Sequence, residues 1–184
     1  GYEACLQALE HPATAMGNVG AGTGATVGKL CGMERASKTG IGCYAMALGE
    51  LQVAAVVVVN ALGDIFDPVN GTKIAGLMNE DRTAFGDSCE ELWKLGCPQN
   101  LFTGNTTIGA VITNGQFNKA QMNKIASMTR NAYARCINPV GTMADGDSIY
   151  AASIGDVKAD INVTGTLAAH VMERAIVKVV ESAR

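Results

Sequence analysis

The sequence predicts an α/β fold in which strands and amphipathic helices share one core, within a single folding unit over residues 1–184. Three observations carry this. Residues 53–59 are an unbroken apolar, valine-rich run, short enough for a buried strand with both faces covered. Residues 119–135 and 164–180 place apolar side chains at helical spacing. Hydrophobic residues make up 48% of the chain, enough to fill a core, and no internal repeat or low-complexity linker divides it.

In chain order, residues 2–10 read as an amphipathic helix that His11-Pro12 breaks. A glycine-dense loop occupies residues 17–32. Strands follow at 41–48 and 51–60, joined by a tight turn at Gly49-Glu50. Residues 63–104 read mostly as connection, with turn signals at Asp67-Pro68 and Asn70-Gly71 and a short helix at 90–94. A third strand is expected at 106–113. Asn118 then caps a helix running from Lys119 to Arg135, with Met122, Ile125, Ala126, Met128 and Tyr133 at its spacing. Asn138-Pro139 ends it. A short strand at 148–153 and a last helix at 164–180, striped by Leu167, Val171, Ala175 and Val179, complete the chain.

Composition narrows the function. The formal net charge is −3 and basic residues are scattered, so no nucleic-acid footprint is expected. No apolar run approaches the ~18 residues that cross a bilayer, so no membrane partner is expected. The six cysteines form no Cys-x-x-Cys pair, and His11 and His170 have no cysteine at zinc-ligand spacing. They read as small buried hydrophobes in a reducing cytoplasm. The three Asn-x-Thr sequons, at Asn70, Asn105 and Asn162, carry little without a signal peptide. Gly1 opens inside a helical pattern with no initiator Met and no cap, which gives the expectation of a preceding segment.

Four constellations could carry chemistry. Gly28-Lys29 fails the phosphate-loop test, because Thr23 and Leu30 stand where a glycine and a hydroxyl are needed. Gly20 to Ala25 matches the looser dinucleotide pattern, but a helix and a proline precede it where a strand belongs. What survives is a backbone that folds tightly and admits a close neighbour. Lys29 by itself reads as a surface lysine. In Thr103-Gly104-Asn105-Thr106-Thr107-Ile108, Thr106 can attack the carbonyl before it by an N-to-O acyl shift, against the plainer reading of a polar turn. Hydrolysis of the ester would free an α-amine of pKa ~8 to serve as base for its own hydroxyl. Asp145-Gly146-Asp147 fails a calcium-loop match at Ile149 and reads as capping carboxylates or as groups orienting the nucleophile. Asn60 closes the apolar strand, where an amide can be aimed at an oxyanion. No metal and no cofactor are expected.

Together these segments resemble the self-processing L-aminopeptidase/D-esterase family, which includes β-peptidyl aminopeptidases and nylon-oligomer hydrolase. The resemblance rests on Gly17 through Lys29, Asn60-Ala61-Leu62-Gly63-Asp64, Asn105-Thr106-Thr107-Ile108, Ala134-Arg135 and Asp145-Gly146-Asp147-Ser148. The threonine branch is the most similar. It implies a layered sandwich of two β-sheets between helix layers, of the N-terminal-nucleophile type. Thr106 takes the nucleophile's place, with self-cleavage between Asn105 and Thr106. Residues 1–105 would then end an α-chain and 106–184 form a β-chain. Asp145 and Asp147 fall at the catalytic carboxylates, Asn60 at an oxyanion or substrate contact, and Lys29 at a catalytic lysine. The implied substrates are short peptides or small amides, and the implied assembly is a homotetramer of cleaved protomers. Gly141-Thr142 stands where the family tends to place His-Thr, and the family's N-terminal half, with a glycine-rich segment and a substrate-facing tyrosine, has no counterpart here. Two other readings stay open: an acyltransferase of the ornithine acetyltransferase type using the same threonine, and a non-catalytic scaffold that is never cleaved.

Overall fold

The computed structural model describes residues 1–10, 15–96 and 104–183. The expected break at His11-Pro12, Cys97, and Thr103 of the threonine segment lie outside them. The elements run α1 (Tyr2–Glu10), β1 (Thr26–Val27), β2 (Ser37–Lys38), β3 (Ile41–Leu48), β4 (Leu51–Val58), β5 (Asp64–Phe66), β6 (Lys73–Ala75) and α2 (Ser88–Leu95). They continue with β7 (Ile108–Gly115), α3 (Lys119–Thr129), α4 (Asn131–Cys136), β8 (Ile137–Asn138), β9 (Ser148–Val157) and α5 (Ile161–Ser182).

The main sheet has the order β3-β4-β7-β9, antiparallel except for the parallel pair β7-β9. Helices α3, α4 and α5 cover one face. Gly42 and Gly109 mark that face, since a Cβ at Gly42 would strike Ala175 and Val179 of α5, and one at Gly109 would strike Tyr133 and Met172. Strand alternation then aims Val53, Ala55, Val57 and Val111 at the helices, and all four are buried against Val171, Met172, Ala175, Ile176 and Val179. Full burial of each larger side chain contributes about 1.5–3 kcal/mol, so this seam dominates the fold's stability. The opposite face carries Ala54, Val56, Val58, Ala110 and Ile112, together with Ile108, Tyr150 and Ile154, which are half exposed or more. The run at 53–59 is therefore covered by the described residues on one face only.

The turn signals at Asp67 and Gly71 close a hairpin between β5 and β6, with Gly71 donating to the Asp67 carbonyl at 2.8 Å and Asp67 to Thr72 at 2.8 Å. The stretch read as connection thus holds two strands, which with β8 form a second, three-stranded sheet. Their three-residue lengths are too short for periodicity to reveal. Asn118 caps α3 as expected, in a capping box with Gln121. The single helix expected over 119–135 is two, because the Thr129 hydroxyl bonds back to the Ile125 carbonyl at 2.8 Å and the chain tightens at Arg130. The last helix starts earlier than its apolar stripe, at Asp160, whose carboxylate accepts from Asn162 and Val163. Among the described residues, no helix is long and apolar enough to cross a membrane, and the five described cysteines are free thiols.

Candidate active site

The site follows from strand register. Val58 pairs with Ile108 across the antiparallel ladder, and two residues further out Asn60 faces Thr106, whose N–H donates to the Asn60 carbonyl at 2.8 Å. On the other side Ile108 pairs in parallel with Ser148. The same register continues outward as a bridge between Asn105 and Asp145, a Gly146 N–H to Asn105 carbonyl bond of 2.9 Å, and a Ser148 N–H to Thr107 carbonyl bond of 3.0 Å. Thr106 therefore lies between Asn60 and Gly146. Alternation also persists: Asn105 and Thr107 are fully buried, while Thr106 lines a cavity of about 420 Å³ with Ala21, Gly24, Ala25, Val58, Asn60 and Ile108.

The Thr106 hydroxyl donates to the Asn105 carbonyl oxygen at 2.6 Å, so it lies against the peptide bond that precedes it. Asn60 spends its side chain on the neighbouring turn. Its Nδ2 donates to the Gly104 carbonyl at 2.8 Å, and its Oδ1 accepts from Lys29 Nζ at 2.7 Å and from Thr26 N at 3.3 Å. Lys29 also donates to the Asn60 and Gly104 carbonyls, at 3.3 and 3.4 Å.

Lys29 is not the surface lysine its residue type suggested, being only 5% exposed. Gly28 puts it there. It turns with φ of +68° and packs so tightly that a Cβ would lie 1.9 Å from the Leu77 nitrogen. Burial lowers the Lys29 pKa to about 8, with Asp145 pulling the other way. The sign follows from linkage. Between about 8 and the ordinary 10.5 the unfolded chain holds a proton that the folded chain has released, so unfolding free energy gains with pH in that window. Denaturant titrations should show this rise in the native chain and its loss in Lys29→Met. A native curve parallel to that of the variant across the window would show that Lys29 keeps its ordinary affinity.

The two acids do not touch the Thr106 hydroxyl. Asp145 Oδ2 accepts from the Thr142 N–H and hydroxyl, at 3.0 and 2.7 Å, closing the loop ahead of β9. Asp147 Oδ1 accepts from the Thr107 N–H at 2.8 Å, and its Oδ2 is buried without a hydrogen-bond partner. Burial pushes the Asp147 pKa up and Asp145 adds to it, while the Thr107 N–H and Arg130 hold it down. Asp147 lines a cavity of about 270 Å³ with Ser127, Arg130 and Tyr133 on the helix side. Burial first, and Asp147 second, raise the Tyr133 pKa, so that phenol stays protonated. Among the described residues, no group of three His, Cys, Asp or Glu is placed to hold a metal ion.

Sequence reasoning missed Gly146, Arg130 and Tyr133. The first was read only as a spacer between acids, and the other two as ordinary helix residues. No local signal distinguishes them, because each acquires its neighbours only when β9 lies beside β7.

The model of peptidase family S58 matches residues 1–184. An uncharacterized aminopeptidase of Mycobacterium leprae is 33% identical over 169 residues, covering 86% of this chain and 44% of that protein. A 6-aminohexanoate-oligomer endohydrolase of Agromyces is 31% identical over 144 residues, covering 77% of this chain and 40% of the relative. The chain thus spans less than half the length of these relatives. A solved structure of an L-aminopeptidase D-Ala-esterase/amidase from Ochrobactrum anthropi, described as a variant of the Ntn hydrolase fold, superposes with a TM-score of 0.63 at 16% identity. That match covers 93% of this chain and 46% of the solved one, and shows a shared α/β fold.

Proposed function

Since the chain belongs to peptidase family S58, we propose that it is the part of an amide hydrolase that carries a self-releasing nucleophile, Thr106. The observation behind this is the 2.6 Å contact between the Thr106 hydroxyl and the carbonyl of the peptide bond to be broken. Oγ1 adds to the Asn105 carbonyl carbon, the C–N bond breaks, and the hydroxyl proton passes to the freed nitrogen. Water then cleaves the ester, leaving the Asn105 carboxylate and Thr106 as a new N-terminus. Residues 1–105 and 106–184 become two chains. The free α-amine next acts as base for Oγ1 in attack on an external amide. Threonine suits the task because its β-branch restricts χ1 and holds the hydroxyl in place.

The substrates are short peptides or related small amides. Beside Thr106 the cavity is apolar apart from Asn60 and Thr106 itself, which fits a small aliphatic acyl group. Once the Gly104 carbonyl moves off, the Asn60 amide is free to donate to that group's oxyanion. Lys29 fixes the Asn60 side chain through its 2.7 Å bond. A preceding part of the same precursor covers the open apolar face of the main sheet, and cleaved protomers assemble as a homotetramer. The free thiols fit a cytoplasmic setting.

The test is direct. The mature protein under denaturing conditions should run as two fragments, the smaller one beginning Thr-Thr-Ile-Gly. A different start, or one intact polypeptide after long incubation, overturns the proposal.

Asp147 supports the nucleophile's strand by holding the Thr107 N–H. Asp147→Asn should lower turnover at least tenfold, and exhaustive chelation should leave the native enzyme's rate unchanged. Loss of activity to a chelator with recovery on added Mg²⁺ would assign the acids to a metal instead.

A further inference from the structure

We infer that the backbone N–H of Gly146 is the oxyanion donor of the self-cleavage step, a role separate from that of the Asn60 amide. This rests on the reading of Thr106 as the self-releasing nucleophile.

The donor expected at the oxyanion from the sequence, Asn60 Nδ2, reaches the carbonyl of Gly104, one residue upstream of the reacting one, and Lys29 Nζ reaches that same carbonyl. Gly146 N–H instead points at the Asn105 carbonyl oxygen from 2.9 Å, within the 2.7–3.1 Å range that oxyanion donors occupy. As Oγ1 bonds to the Asn105 carbon, negative charge gathers on that oxygen, and a donor already in place strengthens its bond without reorganising. The charge then collapses as the C–N bond breaks and the hydroxyl proton moves to the Thr106 nitrogen.

Three features fix this N–H. Asp145 is locked to Thr142 by two bonds to its carboxylate and one from its own N–H. Asp147 is locked to the Thr107 N–H. Ser148 N–H continues the parallel ladder onto the Thr107 carbonyl. Gly146 is thus held on both sides by residues tied to the scissile strand or to the loop beside it. The residue type fits the same role, because a Cβ at 146 would lie 2.8 Å from Thr106 Oγ1. Glycine lets the donor's backbone lie against the nucleophile without displacing it.

Glycolic acid incorporated at position 146 of the full precursor replaces the N–H by an ester oxygen and adds no bulk. The precursor band, timed on a denaturing gel, should decay about 10²–10³-fold more slowly than native, the usual effect of losing one such donor. Breakage should still occur after Asn105. A native precursor that breaks there beside an ester precursor of equal rate overturns this inference alone. A native precursor that never breaks overturns the reading of Thr106 and this inference with it. Amide hydrogen exchange in the uncleaved Thr106→Ala precursor gives a second readout that needs no change at 146. The Gly146 proton should be protected like those of β7, and exchange at open-loop rates overturns the inference whether or not the ester chain folds.

Discussion

Thr106→Ala should leave the precursor whole indefinitely, with no fragment beginning at residue 106 and no turnover of any amide. The variant removes the hydroxyl that donates to the Asn105 carbonyl oxygen at 2.6 Å, which is the nucleophile of the proposed step. Its fold should persist. Thr106 is half-buried, its N–H to Asn60 carbonyl bond is unchanged, and one hydroxyl bond contributes about 1 kcal/mol. Thr106→Ser retains the oxygen and should still cleave, more slowly, because loss of the methyl frees χ1. Intact mass under denaturing conditions reads all three chains at once. Cleavage of Thr106→Ala at the same bond would mean that the nucleophile lies elsewhere.

The largest expected loss of stability comes from Asp64→Ala. This carboxylate is 2% exposed and accepts from Lys73 Nζ at 2.7 Å, from Leu77 N at 2.7 Å, and from Ser88 N and Oγ at 3.0 and 2.7 Å. It ties β5 to β6 and to the start of α2. It also steadies the Leu77 backbone against which Gly28 packs, and through Gly28 the position of Lys29. Alanine would strip the Lys73 ammonium, only 14% exposed, of its closest carboxylate, leaving it the Gly86 carbonyl and Asp87 at 3.9 Å, and would strand the Leu77 and Ser88 backbone donors. Breaking a buried pair on one side costs about 3–5 kcal/mol. For a domain of this size the melting temperature should then fall by roughly 6–20 °C. The Thr106→Ala precursor is the proper background, since cleavage cannot complicate its melt. A loss below about 1 kcal/mol would show that these donors find other partners.

Local pattern reached far into this fold. The valine-rich apolar run at residues 53–59 marked the second strand of the central hairpin, and Gly49-Glu50 marked the turn that joins it to the first. Asn118 marked the start of α3. The apolar stripe on residues 164–180 marked the helix that covers the sheet. In each case the signal is a property of one segment, a period or a cap, that the folded chain leaves in place. Shifts at the ends have local causes too. The third strand begins at Ile108, because residues 105–107 pair with the Asp145–Ser148 segment through isolated bonds and do not form a regular ladder. The strands at 64–66 and 73–75 escaped because three residues carry no period.

The sequence by itself determined the candidate chemistry: a hydroxyl at Thr106 after Asn105, two acids around a glycine, a lysine after a glycine turn, and an amide at a strand's end. Each is a residue type with a fixed repertoire, legible wherever it sits. Only the tertiary structure decided which of them meet. The antiparallel register of β4 with β7 sets Asn60 beside Thr106, and the parallel register of β7 with β9 sets Gly146 on the other flank. Burial decided that Lys29 is a lysine with a lowered pKa and that Asp147 is a carboxylate with a raised one. Those shifts arise from desolvation and from charges far away in sequence, so no segment carries them alone.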